Sequence, residues 1–352
     1  MEGRILDERK DGRKEKKGER KGTEQVYRCV LWWSACTFVW SFAARDVQAS
    51  NTVHVAMCPS QSQIQGMLVA IRSILESCNT TNTAFHFHVI TTNQSAPFLR
   101  KSLACTSESH RMNYSTYALD RSRWPSNLST RVRSKLLRGY GLENPLNYAR
   151  FFMDKMFPWR DMNFEKVFYI DTDCVVQTYI AAMYWKKLNG STAVVAVAKR
   201  RTRISKYAGI SLKHPKILEW NQSHHHKIND SLVAFNAGVL LFNLKQWEKQ
   251  HILDDVLYWI AANKKDHVYN YGSNPPLVLG LAGRVEYLDD TWNVDGLGYR
   301  RHMAMRRIKT AKVLHWTGPK KPWKGNAIPE YQKLWKRFRM VNCEEDQLDK
   351  LH

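Results

Sequence analysis

The chain has 352 residues, 43% of them hydrophobic, with 13 Trp and a formal net charge of +22. That length accommodates one large α/β domain with appendages or two small domains, and the apolar and aromatic content excludes a wholly disordered chain. The charge brings nucleic acid, anionic membranes and phosphorylated ligands into view. No zinc-finger, RNA-recognition or helix-turn-helix signature accompanies it, so nucleic acid is set aside as a partner.

Residues 1–28 carry ten Lys/Arg against seven Asp/Glu and almost no large apolar side chain, and read as a basic tail. The run CVLWWSACTFVWSFAA, Cys29 to Ala44, holds no charge and is bounded by Arg28 and Arg45. Its 16 residues fall just short of a membrane-spanning helix, which takes about 17–25. The run contains three Trp, which suit an interface. The preferred reading is a signal anchor with the basic tail cytoplasmic. A cleaved signal peptide ending in small residues and a buried core helix are the alternatives. Residues 45–52 form a short stem. Seven N-x-S/T triplets, at Asn79, Asn93, Asn113, Asn127, Asn189, Asn221 and Asn229, agree with a luminal body. The seven cysteines form no CxxC pair or zinc spacing, and their pairing is not readable.

From Asn51 onward strands alternate with helices. VHVAM reads as a strand, GMLVAIRSILESC as a helix, and FHFHVITT as a second strand. That order is a βαβ unit and predicts a mostly parallel sheet. KVFYID, AVVAVA and GVLLFNL are further strands, and KQWEKQHILDDVLYWIAAN predicts one amphipathic helix. Basic clusters recur at Arg131, Arg133, Lys135 and Arg138, at Lys199, Arg200, Arg201 and Arg203, and at Arg300, Arg301, Arg306 and Arg307. His224, His225 and His226 read as an exposed polar loop rather than a metal site.

The chemistry concentrates at KVFYIDTDCVV, where an apolar strand ends in Asp171-Thr172-Asp173. Alternate residues of an extended segment point the same way, so the two carboxylates can converge on one cation. Carboxylates suit Mg²⁺ or Mn²⁺ shared with substrate phosphates. Ligands of open α/β sheets lie at the carboxyl ends of strands. Downstream, HWTGPKKPW offers the His315 imidazole, a close backbone approach at Gly318 and a point charge at Lys321.

Four stretches, NYARFFMDKMFP, KVFYIDTDCVVQ, FNAGVLLFNLKQW and HWTGPKKPW, together resemble glycosyltransferase family 8, which contains glycogenin and bacterial lipopolysaccharide galactosyltransferases. The chain also resembles the eukaryotic glycosyltransferase 8 domain-containing proteins, a likeness carried further by PPLVLGLAGRVEYLDDTWNVDGLG. The resemblance implies an α/β GT-A fold over residues 53–338, Rossmann-like with a mixed, mostly parallel sheet, leaving 339–352 as a C-terminal tail. It implies Mn²⁺, with Mg²⁺ as the substitute, held by Asp171, Asp173 and His315. It assigns nucleotide-sugar contacts to Arg150, Thr172, Asn236, Ala237, Gly318 and Lys321. The implied activity is retaining hexosyl transfer from a UDP-sugar to a glycan, lipid or protein in the Golgi or endoplasmic reticulum, by a single-pass type II protein. An anionic acceptor would match the basic surface.

Three departures stand out. The family's Asp-Gln pair, whose amide lies near the reacting carbon, is replaced by Ser273-Asn274-Pro275-Pro276, so no catalytic residue is assigned. Lys199-Arg200-Arg201 stand where relatives are acidic or polar, and CPSQSQIQG lacks the acidic uracil contact. The alternative function is a silent nucleotide-sugar-binding or scaffold protein.

Overall fold

The computed structural model describes residues 51–78, 83–106, 112–120, 124, 128, 142–188, 194–270 and 272–339. The basic tail, the expected anchor at 29–44, most of the stem, Asn79, Asn127, Asn189, the Arg131–Arg138 cluster and residues 340–352 lie outside them. No helix among the described residues is long and apolar enough to cross a membrane.

Among the described residues ten strands form two sheets. They are β1 (Thr52–Met57), β2 (Ala84–Thr91), β3 (Asn113–Ala118), β4 (Lys166–Ile170), β5 (Cys174–Val176), β6 (Val195–Ala198), β7 (Val239–Asn243), β8 (Val285–Leu288), β9 (Val294–Asp295) and β10 (Val313–His315). The large sheet runs β3-β2-β1-β4-β7-β6-β8, and β5-β10-β9 form the small one. In the large sheet only β7 runs against its neighbours, so the expected mixed, mostly parallel α/β sheet is present.

The pattern of β4 shows why it lies inside. Val167 and Tyr169 face one core cluster, Phe168 and Ile170 the other, and all four are buried. A strand covered on both faces reads as a continuous apolar run, and each such side chain contributes about 1.5–3 kcal/mol on burial. Helix α1 (Ile64–Glu76) covers one face through Met67, Leu68, Ile71, Ile74 and Leu75. The helix Ile252–Asp266 packs Val256, Trp259 and Ile260 into the cluster on the other.

The single helix expected over KQWEKQHILDDVLYWIAAN is two. Leu244–Lys249 ends before His251, which takes the left-handed conformation at φ 52°, and Ile252–Asp266 starts anew. Continuing the spacing of Leu244 and Trp247 unbroken would bring His251, Asp254 and Asp255 inward. The break resets the phase so that Ile252 and Val256 face the core.

Sheet register positions the site. Ile170 on β4 pairs with Val239 on β7, and the ladder extends one step as Asp171 N–H donates to the Gly238 carbonyl at 2.7 Å. On the small sheet His315 is the register partner of Cys174 on one side and Asp295 on the other.

Candidate functional site

Asp171, Thr172 and Asp173 form a turn between β4 and β5, closed by Cys174 N–H donating to the Asp171 carbonyl at 3.2 Å. The expected extended segment is therefore a turn. The carboxylates converge because the turn wraps around the end of β10, where Trp316 N–H donates to the Asp173 carbonyl at 2.9 Å. His315 Nε2 lies 3.2 Å from Asp173 Oδ1 and 3.8 Å from Asp171 Oδ2. Gly238 makes this approach feasible: an added Cβ would come within 2.2 Å of His315 Cε1 and 2.6 Å of Asp171 Oδ2.

The tautomer of His315 follows from its neighbour. Asn293 Nδ2 donates to the Asn236 carbonyl at 3.3 Å, which turns Asn293 Oδ1 toward His315 Nδ1 at 2.9 Å. In the neutral ring Nδ1 then carries the proton, and Nε2 presents its lone pair to the two carboxylates. Three electron-rich groups facing one another in a largely buried site call for a positive charge among them. Lys321 supplies one, since Nζ donates to Asp173 Oδ2 and, at 3.0 Å, to the Trp316 carbonyl. Burial pushes the Asp173 carboxyl up, but the Lys321 ammonium outweighs it and holds it well below the ordinary carboxylate range.

Among the described residues, one group of potential metal ligands lies within 4.8 Å of one another: Asp173, Cys174 and His315. Cys174 is fully buried and packs with Val176 and Val313 in the core. Asp171, one-quarter exposed at its side chain, is the better third donor. Two carboxylates and an imidazole are a fitting set for a hard divalent cation.

Arg150 stands behind this cluster, buried. It donates through Nη1 to the Ala237 carbonyl, through Nε to the Asn147 carbonyl at 2.9 Å and through Nη2 to Asp171 Oδ1 at 3.3 Å. Its guanidinium lies over the Tyr169 ring, whose hydroxyl donates to Asp171 Oδ1 at 2.6 Å. Arg150 thus fixes Asp171 and the FNAG turn together. Thr172 is buried, and its carbonyl lies beside Gly66 at the start of α1, where Trp323 also packs. Ala237 lies wholly in the core, so only its backbone reaches the site. Gly318, at φ 114°, packs on Gly298 and Tyr299, where a Cβ would meet the Gly298 carbonyl at 3.0 Å.

Asn236 Oδ1 accepts from Gly238 N–H at 2.8 Å, and its Nδ2 points to Asp295 Oδ2 at 3.4 Å. The sequence profile of Glycosyl transferase family 8 matches residues 54–327. The chain belongs to that family. Probable galacturonosyltransferase-like 10 of Arabidopsis thaliana is 26% identical over 279 residues, 78% of this chain and 71% of that protein. Glycosyltransferase 8 domain-containing protein 1 of Homo sapiens is 27% identical over 299 residues, covering 81% and 76%. The solved structure of the galactosyltransferase LgtC with donor and acceptor sugar analogues superposes with a TM-score of 0.55 at 20% identity, covering 83% of this chain and 98% of that one. That likeness speaks to the fold, a GT-A-like mixed α/β architecture.

Within this family 8 domain, two residues that flank the site escape a reading of the sequence. Asn293 and Asp295 belong to DDTWNVD, whose polar residues resemble an ordinary loop. Only the β9–β10 pairing brings them beside His315. The departure at 273–276 is also explained: Pro275 and Pro276 are buried in the first turn of the helix Asn274–Gly280. Proline suits that position because its missing N–H has no helical partner there. In the triple-histidine loop only His225 is exposed; His224 and His226 are half-buried, and His224 stacks on Trp220 at 3.5 Å.

Because Asn293 orients the His315 ring, Asn293→Ala is expected to weaken the affinity of a divalent cation at this cluster about 10–100-fold, the usual cost of losing a metal ligand's orienting partner. Titration calorimetry with Mn²⁺ measures it. Wild-type affinity in the variant would show that His315 does not depend on Asn293.

Proposed function

We propose that the protein is a Mn²⁺-dependent, retaining hexosyltransferase that uses a UDP-sugar. The observation that carries this reading is the convergence of His315 Nε2 on the carboxylates of Asp171 and Asp173, at 3.8 and 3.2 Å. A divalent cation bound there would supply positive charge to the departing diphosphate. Asp171 is held in place by Arg150 and Tyr169, and Asp173 by Lys321. Lys321 has a flexible stem, and its charge is available to a phosphate oxygen as well. Asn236 and the backbone of the FNAG turn line the side on which the sugar would lie. Retention with front-face attack is inferred from family membership. The acceptor is a glycan, lipid or protein, and an anionic one fits the net charge of +22. The segment 29–44 is proposed as the anchor of a type II Golgi or endoplasmic reticulum protein.

A panel of UDP-sugars with Mn²⁺, read as UDP release by the full-length protein, tests the reading. Metal-dependent release with one donor is the expected result. Tight metal-dependent binding without turnover would favour a silent nucleotide-sugar-binding protein, a reading that the prolines at 275 and 276 make worth testing. Product anomericity by NMR tests retention, and an inverted linkage would overturn it.

A further inference from the structure

Asp295 and Arg200 form an ion pair that the site described above does not use. The Arg200 guanidinium contacts Asp295 Oδ2, with side chains 30% and 10% exposed. The same carboxylate oxygen faces Asn236 Nδ2 at 3.4 Å. Asn236 in turn holds Gly238, whose Cα abuts His315 and Asp171. The pair is therefore one side chain away from the carboxylate–imidazole cluster. A diphosphate bound at that cluster would place its attached sugar within reach of this wall. The placement rests on the donor reading given under Proposed function.

We propose that the Arg200–Asp295 pair selects the charge of the donor sugar, favouring a neutral hexose over a hexuronate. A guanidinium matches carboxylate geometry with two parallel hydrogen bonds, so an uncommitted Arg200 would suit the C6 carboxylate of a uronic acid. Here Asp295 already occupies one end of the guanidinium, at Nη2. A hexuronate would have to displace a protein carboxylate or lie against it, and like charges in a partly buried site repel strongly. A neutral hexose meets no such conflict. Its hydroxyls can donate to Asp295 and accept from Arg200, whose combined charge is zero. Arg300, the next cation, is exposed and stacked on Tyr299 at 5.5 Å, so its charge is spread into solvent. The relatives named galacturonosyltransferase-like make a hexuronate the donor class to compare.

The experiment is calorimetric binding of UDP, UDP-galactose, UDP-glucose, UDP-galacturonate and UDP-glucuronate to the full-length protein with Mn²⁺, using wild type, Asp295→Asn and Arg200→Gln. UDP itself should bind all three forms alike, which certifies the fold and the diphosphate site. The wild type should bind the UDP-hexoses about 10-fold or more tighter than the UDP-hexuronates. Asp295→Asn leaves Arg200 unpaired and should shift that ratio about 10-fold toward the hexuronates. Arg200→Gln leaves Asp295 alone and should shift it the other way. A wild-type preference for hexuronates, or a ratio unmoved in both variants while UDP still binds, would overturn the inference and leave the donor reading standing. Failure of the wild type to bind UDP would overturn both.

Discussion

Asp171→Ala is expected to lower Mn²⁺-dependent affinity for UDP by on the order of 100-fold or more, since even indirect supports of a metal ligand are worth about 10–100-fold. The two oxygens of Asp171 have separate tasks. Oδ1 accepts from Tyr169 at 2.6 Å and from Arg150 at 3.3 Å, which fixes the carboxylate in direction. Oδ2 faces His315 Nε2 at 3.8 Å, where a cation would lie. Truncation to Ala also strips the buried Arg150 of a counter-charge, a loss worth about 3–5 kcal/mol when a buried pair is broken. A drop in affinity could then be confused with a drop in stability. Asp171→Asn separates the two. The amide keeps an acceptor for Tyr169 and nearly the same volume, yet it is a much weaker ligand for a hard cation. Lost affinity with a smaller fall in thermal midpoint than in Asp171→Ala is the expected outcome, because the amide oxygen still accepts from Tyr169 and Arg150 although the counter-charge is gone. Unchanged Mn²⁺-dependent UDP binding in Asp171→Asn would remove Asp171 from the metal set.

The same residues show what a sequence can and cannot disclose. β4 and β7 were legible because their apolar runs are bounded sharply by polar residues, at Asp171 and Asn243. The meeting of the Asp171 turn with the FNAG turn follows once those two strands are antiparallel neighbours. Antiparallel pairing of β4 with β7 is itself not a local property, and nothing in either segment announces it. The orienting role of Asn293 is less accessible still. It needs β9, a strand of only two residues, Val294–Asp295, too short to leave a period-two signature. The pairing of Arg200 with Asp295 links the end of β6 in the large sheet to β9 in the small one and becomes visible only when β9 docks beside β10. The break at His251 was missed for a different reason. A left-handed non-glycine residue carries no strong marker, and the helical propensity on either side of it is continuous.

A second large effect belongs to strands β1 and β2. His54 on β1 and His86 and His88 on β2 form a stacked cluster, with His54 Nδ1 and His88 Nε2 2.9 Å apart. His88 Nδ1 meets the Tyr117 hydroxyl at 2.9 Å, His86 Nε2 meets Ser115 Oγ at 2.8 Å, and Phe164 stacks on His54 at 3.8 Å. The setting is neutral and largely apolar. Burial lowers His54 to about 3 and His86 to about 4, and burial with neighbouring imidazoles holds His88 well below its ordinary value. The sign of the pH effect follows from linkage. Below the unfolded value of about 6.5 the unfolded chain takes up protons that the folded chain refuses, so stability falls as pH falls. Three such groups give a slope approaching roughly 4 kcal/mol per pH unit, until the folded-state values near 4 and 3 are reached. Against a typical total of about 5–15 kcal/mol, that slope removes a large part of the domain's stability between roughly pH 6 and 4. The carboxylates held low, such as Asp289, act only at lower pH, below about 3.9. Urea unfolding followed by Trp fluorescence across pH 7 to 4 measures the acid limb. His86→Gln keeps a hydrogen-bonding side chain beside Ser115 and removes one titrating ring, so it should reduce the slope by about one-third. A flat acid limb in the wild type, or an unchanged slope in His86→Gln, would show that the cluster opens to water before it titrates.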